Sequence, residues 1–168
     1  MSTIFKKSYS QAEDGAVPTT DLAIVGTSTD GTVYHWVFYL RLARATRSVV
    51  FDMSPGLGEP PTGVLLISSV PRPSSDGLEV LEYGFEPPAP LTPDAFLAFI
   101  TERGYDRFRF TREGTGCRNW CKDVLLAMQE EGLAPAGVVD AFQAWLKTMS
   151  DAVGVERIPM PGVRGAFY

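Results

Sequence analysis

Residues 32–42, with the sequence TVYHWVFYLRL, form the segment that most restricts how this chain can fold. One alternating set of its residues is wholly apolar and consists of Tyr34, Trp36, Phe38, Leu40 and Leu42. The other set is mixed and consists of Val33, His35, Val37, Tyr39 and Arg41. Side chains of a β-strand point alternately to opposite faces, so this pattern predicts a strand with one face against a hydrophobic core.

Four further segments are rich in β-branched and aromatic residues and are predicted to be strands. They are residues 22–27, 48–53, 64–70 and 78–85. The polar ARATR segment at 43–47 is short enough to join the strand at 32–42 to the next one as a hairpin. The turn-rich PRPSSDG at 71–77 separates the last two strands. We therefore expect an antiparallel meander in the middle of the chain.

Three helices are predicted after the strands. Thr92 and Pro93 provide an N-cap and a first-turn proline before an apolar series that Gly104 ends. A second helix begins at Cys117 and ends before Gly132, and its apolar stripe consists of Cys117, Trp120, Cys121, Val124, Leu125 and Met128. The third is predicted at residues 137–149, and the tail RIPMPGVRGAFY is too rich in proline and glycine for a helix. The expected fold is α+β, with an antiparallel sheet of five or six strands on two or three helices.

The chain has 168 residues, enough to bury one core without disulfides or structural metals. Residues 1–20 are predicted to be a flexible leader or a cover for a strand edge, and residues 21–168 a single domain. With 15 basic and 20 acidic side chains the net charge is −5, so nucleic acid is an unexpected partner. We find no signal sequence and no run of 18 apolar residues, so a cytoplasmic protein without a membrane span is expected. The sequence leaves the oligomeric state open.

His35 is the only histidine in the chain. A neutral imidazole can accept a proton near pH 7 and return it to a leaving group. The alternative is a hydrogen-bonded structural histidine within the core.

Cys117 follows Gly114-Thr115-Gly116 at the predicted start of a helix. Unpaired backbone N–H groups and the helix dipole stabilise a thiolate there and can also bind an oxyanion. The alternative is that Cys117 belongs to the core, which is the expected role of Cys121 one turn later. The two cysteines lack the paired spacings of zinc knuckles, and we expect neither a metal nor a cofactor.

Asp52 becomes a candidate through strand pairing. If the 43–47 connection turns around Ala43 and Arg44, paired residue numbers sum to 87 and Asp52 lies directly opposite His35. A shift of two leaves the pair diagonal, and a shift of one puts them on opposite faces. On the same face, the carboxylate can fix the imidazole tautomer and stabilise its cation. The alternative is an exposed aspartate at a strand end.

Five residues are candidates for substrate binding. Arg118 and Asn119 can bind an oxyanion or a substrate carboxylate, or they are simply solvated positions in a first helical turn. Trp120 and Tyr39 are expected to line a cleft, to which Met128 also contributes, and Gly116, which precedes Cys117, is the fifth candidate.

The segments HWVFYL and GCRNWCKDVL resemble those of circularly permuted papain-like proteins, above all lecithin retinol acyltransferase-like domains. His35, Cys117 and Trp120 match the histidine, cysteine and aromatic positions of that pattern. Gly116 replaces its asparagine, Asn119 replaces its inner histidine, and only Asp52 could stand for its second strand histidine. The resemblance implies a permuted papain-like arrangement with a Cys-His dyad, in which Cys117 on the central helix faces His35 on the sheet.

Over residues 20–150 the order of motifs also resembles an uncharacterised fungal domain family of unknown function, which implies no activity. From the residues we expect a cysteine-dependent hydrolase or acyltransferase that acts on a small amide, ester or thioester. Two alternatives remain open. One is a non-covalent tailoring enzyme, a cyclase or isomerase with His35 as general base, and the other is an inactive module that binds a ligand or a protein.

Overall fold

The computed structural model describes residues 3–6, 8–29, 31–43, 46–71 and 79–168. Its main sheet has six strands: β1 (Thr3–Lys6), β2 (Thr19–Ser28), β3 (His35–Leu42), β4 (Arg47–Pro55), β5 (Gly63–Pro71) and β6 (Glu79–Phe85). The helices are α1 (Gln11–Asp14), α2 (Pro93–Glu102), α3 (Cys117–Glu130) and α4 (Val138–Val153). A small second sheet pairs β7 (Phe108–Arg109) with β8 (Ala166–Phe167). The predicted α+β class is confirmed.

The six strands lie in the order β1-β5-β4-β3-β2-β6, and all neighbours are antiparallel except the parallel pair β1 and β5. The predicted meander is correct for β2 to β5. It is wrong for β6, which pairs with β2 at the opposite end of the sheet from β5. The alternating pattern of β6 determines which face it buries but not which strand it joins. Most of the predicted turn at 71–77 lies outside the described residues.

The N-terminal segment contributes to the sheet. β1 lies along the outer edge of β5, with Ile4 beside Leu65, and α1 follows it. The sequence predicts either a flexible leader or a strand-edge cover for residues 1–20. Its position at the sheet edge corresponds to the second, and the domain boundary near residue 20 stays a prediction.

The core lies between one face of the sheet and the helices. Trp36, Phe38, Leu40 and Leu42 are at most 2% exposed, so the predicted apolar face of β3 is confirmed. The ring of Phe38 is 5.8 Å from that of Trp120 on α3, with an edge-to-face geometry. This aromatic packing fixes the position of α3 against β3.

The bounds of α2 and α3 lie where the sequence indicates. Thr92 caps α2 by accepting a hydrogen bond from the N–H of Ala95 at 3.2 Å, and Gly104 follows with φ of +74°. Gly132, with φ of +72°, follows α3 in the same way. α4 extends four residues beyond the predicted end at residue 149. Behind it the tail returns to the core, where Ile158 is fully buried and its carbonyl accepts a hydrogen bond from Ser150.

Within the described ranges, every helix is too short or too polar to cross a lipid bilayer.

Candidate functional site

The pairing of β3 with β4 determines where Asp52 lies. Paired residue numbers sum to 89, as in Phe38 with Phe51 and Arg41 with Ser48. The predicted sum of 87 is therefore wrong by two, and the diagonal alternative describes the structure. The shift is even, so Asp52 stays on the sheet face of His35. The Cα pairs of the two strands run from Phe38–Phe51 to Arg41–Ser48, which leaves His35 and Asp52 beyond the last pair.

His35 and Asp52 are in direct contact. The imidazole Nε2 lies 2.7 Å from Asp52 Oδ1, which also accepts a hydrogen bond of 2.8 Å from the Ser54 hydroxyl. An ionised carboxylate can only accept hydrogen bonds, so Nε2 carries the proton of this contact. Because Nε2 is engaged by Asp52, Nδ1 is the ring nitrogen left for any other partner.

Cys117 is the first residue of α3 and is half-buried. The N-cap position is Gly116, with φ of 141° and no side chain to cap the helix. A Cβ at Gly116 would lie 3.2 Å from Phe108 and 3.3 Å from the backbone nitrogen of Gly165. Both the positive φ and this lack of space favour glycine at the position. The first N–H groups of α3 thus have no side-chain cap, which suits them to bind a ligand oxygen beside the thiol.

The protonation of His35 depends on both neighbours. Burial alone would lower its pKa, but hydrogen bonds and charge interactions with Asp52 and Cys117 raise the pKa to about 10. His35 is therefore a cation at neutral pH. This cation is held beside the Asp52 carboxylate, and Cys117 lines the same cavity as the imidazole.

A cavity of about 250 Å³ opens beside these groups, and both His35 and Cys117 line it. The rest of its wall comes from the start of β3, the segment before α3 and the tail: Val33, Tyr34, Trp36, Gly114, Thr115, Gly116, Arg118, Pro159 and Val163. The wall is mostly apolar, and His35 and Cys117 interrupt it with polar groups. Such a cavity can hold a small organic group against the thiol.

Three of the predicted substrate-binding residues lie close to Cys117. Gly116 and Arg118 line this cavity. Asn119 is buried and instead lines a neighbouring cavity, together with Arg118.

The three residues predicted to line a cleft do not line this cavity. Trp120 is fully buried, and its indole N–H donates to the Tyr105 carbonyl at 2.7 Å. Met128 is also fully buried, two turns further along the helix. Tyr39 packs on the outer face of the sheet against a small apolar cluster that includes Val37 and Val50. The helical stripe of α3 faces the core, and only its first turn reaches the cavity.

Cys121 differs sharply from Cys117. It is fully buried, as expected of a core residue, and burial raises its pKa well above the usual value.

Sequence reasoning missed the part of the cavity wall that the tail provides. Pro159 and Val163 line the cavity, and the Pro159 carbonyl accepts a hydrogen bond from Arg118. Upstream, the Arg157 carbonyl accepts a hydrogen bond of 3.2 Å from the N–H of Tyr34. The proline and glycine content of the tail excluded a helix, but it did not indicate what the tail packs against.

The Arg157 side chain adds a second attachment for the tail. It forms an ion pair with Glu79 on β6 and lies over the ring of Tyr34 at 4.9 Å. The Tyr34 hydroxyl completes the group by donating to Glu79 at 3.0 Å. These contacts hold the tail beside the start of β3.

A family model described as a domain of unknown function, DUF7770, matches residues 19–168. This agrees with the resemblance to an uncharacterised family. No curated protein and no solved structure matches the chain.

Proposed function

We propose that this chain, which belongs to the DUF7770 family of unknown function, is a cysteine-dependent acyl-transfer enzyme. Its substrate would be a small amide, ester or thioester, and the acceptor would be water or an amine. Cys117 is the nucleophile, His35 is its acid and base, and Asp52 is a positioning residue. A free thiol with this role is suited to a reducing compartment such as the cytoplasm.

The observation that carries this proposal is that His35, held by Asp52 through Nε2, lines the same cavity as the Cys117 thiol. Neither neighbour alone would indicate catalysis, because a histidine–aspartate pair is also a common structural contact. The third group is a half-exposed sulfur at the start of a helix, which is where a thiolate is most stabilised. Nucleophile, base and orienting carboxylate are the three parts of a covalent catalytic site.

In the first half of the reaction, the Cys117 sulfur attacks the acyl carbon while the carbonyl electron pair moves to oxygen. When that pair returns, the bond to the leaving group breaks, and His35 Nδ1 donates its proton to the leaving atom. The products of this half are a thioester on Cys117 and the free amine, alcohol or thiol.

In the second half, His35 removes a proton from water as the water oxygen attacks the thioester. Collapse expels the Cys117 thiolate, and the carboxylic acid leaves. The proton taken from water remains on His35, which returns the site to the state in which the first half began. An amine can replace water as the acceptor, and the net reaction is then acyl transfer.

The tetrahedral oxyanion needs hydrogen-bond donors close to the sulfur. The backbone N–H groups of Cys117 and Arg118 are in the first turn of α3, where helical geometry gives them no partner within the helix. Such preorganised donors are worth about 3–4 kcal/mol each in a transition state.

The raised pKa of His35 supports this chemistry over the non-covalent alternative. A cyclase or isomerase that uses His35 as its general base needs a neutral imidazole at working pH. A histidine protonated at neutral pH is instead suited to stabilise a thiolate and to protonate a leaving group.

Iodoacetamide labelling tests the proposal in the Cys121→Ala variant, which has one thiol. We expect Cys117 in the folded protein to label quickly at neutral pH, and to label at least tenfold more slowly when His35→Ala is added. Equal labelling of the two proteins would contradict an activated dyad. Turnover of acetyl and butyryl thioesters, abolished by Cys117→Ser, would complete the assignment.

A further inference from the structure

Next to the candidate active site lies a second cavity of about 210 Å³, which has a different chemical character. Its wall includes three cationic side chains, Arg118, Lys122 and Arg164. Two amide side chains, Asn119 and Gln143, also line it, and no aspartate or glutamate appears among its described lining residues. This concentration of positive charge stands out in a chain with a net charge of −5.

Arg118 connects the two cavities, because it lines both of them. Its guanidinium donates to the Pro159 carbonyl, a neutral group. Within the described part of the chain, Arg118 has no carboxylate in ion-pair contact. Burial lowers the pKa of Arg118, with a smaller opposing effect from Cys117. A partly buried cation without a counterion is a site where an anion gains more than it would at the open surface.

The charges of the other two cations, Lys122 and Arg164, are also not neutralised by a close ion pair with the described residues. Lys122 has one acidic neighbour, Asp123, with Nζ 3.6 Å from the carboxylate oxygen. That distance is long for a charge-assisted hydrogen bond. Arg164 is exposed and forms no ion pair with the described residues. All three cations line the same cavity.

Residues of the tail line both cavities. Pro159 and Val163 line the first cavity, whereas Gly162 and Arg164 line the second. The tail lies close to α3 here, because a Cβ at Gly162 would be 2.7 Å from Arg118 Nη2 and 2.9 Å from Asn119 Oδ1. The cationic cavity is thus held beside the first turn of the helix that carries Cys117.

We propose that this cationic cavity binds an anionic group of the substrate, a carboxylate or a phosphate, while the acyl carbon lies at Cys117. The inference rests on the proposed acyl-transfer function and names its substrate class: small acyl compounds with a second, negatively charged end. Arg118 and Lys122 position the anion from the helix side, and Arg164 binds it from the tail side.

A matched substrate pair tests this preference. The succinyl and butyryl thioesters of N-acetylcysteamine have acyl chains of equal length, and they differ in a terminal carboxylate against a methyl group. The measured quantity is the ratio of kcat/KM for the succinyl thioester to that for the butyryl thioester. We expect the double variant Lys122→Gln/Arg164→Gln to lower this ratio by about tenfold or more.

The control is the double variant Arg103→Gln/Lys147→Gln, which removes the same net charge. Arg103 and Lys147 are exposed, form surface ion pairs, and line neither cavity. Its ratio should equal that of the wild type. A wild-type enzyme with no preference for the succinyl thioester, or an equal loss of preference in both double variants, would overturn the inference.

Calorimetric binding to the Cys117→Ala variant separates this inference from the proposed function. If the wild type turns over neither thioester, acyl transfer fails, yet tighter binding of the succinyl thioester that depends on Lys122 and Arg164 would still support the anion site. Competition then identifies the anion: displacement by inorganic phosphate indicates a phosphate site, and displacement by succinate indicates a carboxylate site. Displacement by neither would overturn the proposal.

Discussion

His35 Nε2 lies 2.7 Å from Asp52 Oδ1, although the two residues are diagonal neighbours across β3 and β4 and not a directly opposed pair. The contact forms beyond Phe38–Phe51, the last Cα pair between β3 and β4. Asp52 is further fixed by the hydroxyl of Ser54. The imidazole is thereby held by Nε2, and Nδ1 is the nitrogen that the proposed reaction uses.

The charge on His35 should respond to both neighbours, and this can be measured directly. The chain has one histidine, so an NMR titration reports His35 without assignment. We expect a pKa of about 10 in the wild type. The Asp52→Asn variant should lower it, because a neutral amide no longer stabilises the imidazolium. Cys117→Ala should lower it as well, and a pKa that moves in neither variant would contradict the coupled site.

Stability should follow the same group as the pH changes. The pKa of His35 is raised from 6.5 in the unfolded chain to about 10 in the folded protein, so protonation favours folding. This contribution is complete below pH 6.5 and is lost as the pH rises through about 10. The free energy of unfolding of the wild type, relative to His35→Gln, should therefore decrease over that interval.

Urea denaturation of both proteins at a series of pH values gives this difference. Titrating groups that do not interact with His35 change in both proteins and cancel in the comparison. A difference that increases with pH would mean that His35 is buried in its neutral form.

The two cysteines should behave in opposite ways when each is replaced by alanine. Cys117 is half-buried at the start of α3, whereas Cys121 is fully buried. Cys117→Ala should abolish acyl transfer and leave the melting temperature almost unchanged. Cys121→Ala should keep activity but lose about 1–2 kcal/mol of stability, because it leaves a small cavity in the core. Thermal unfolding and thioester turnover measure the two effects, and a large stability loss in Cys117→Ala would make that residue structural.

The sequence predicted the local elements that carry His35 and Cys117 better than the surroundings of these elements. The alternation around Trp36 and the glycines before Cys117 are local patterns, so the strand face and the helix start could be derived from them. The register of β3 with β4 could not, because it depends on a connection that lacks a defined two-residue turn.

The partner of β6 and the path of the tail are set by long-range contacts. Arg157 illustrates this, since its carbonyl accepts from Tyr34 and its side chain pairs with Glu79, 78 residues earlier in the chain. No local pattern encodes such a contact. Trp120 differs, because the sequence assigned it both to the apolar stripe of α3 and to a cleft, and the stripe proved decisive: packing against Phe38 keeps Trp120 in the core.

A close contact between β2 and β3 gives the last prediction. Gly26 pairs with Trp36, and a Cβ at Gly26 would lie 2.8 Å from atoms of the Trp36 ring. Gly26→Ala should therefore lower stability by about 1–3 kcal/mol through overpacking. Gly84→Ala is the matched control on the neighbouring strand, since the nearest atoms to its Cβ would be 3.8 Å away. Trp36 also lines the cavity beside Cys117, so Gly26→Ala should slow iodoacetamide labelling of that thiol as well. Gly84→Ala should change neither the stability nor the labelling rate. Equal melting temperatures for the two variants would show that the Trp36 ring can move away from β2 without cost.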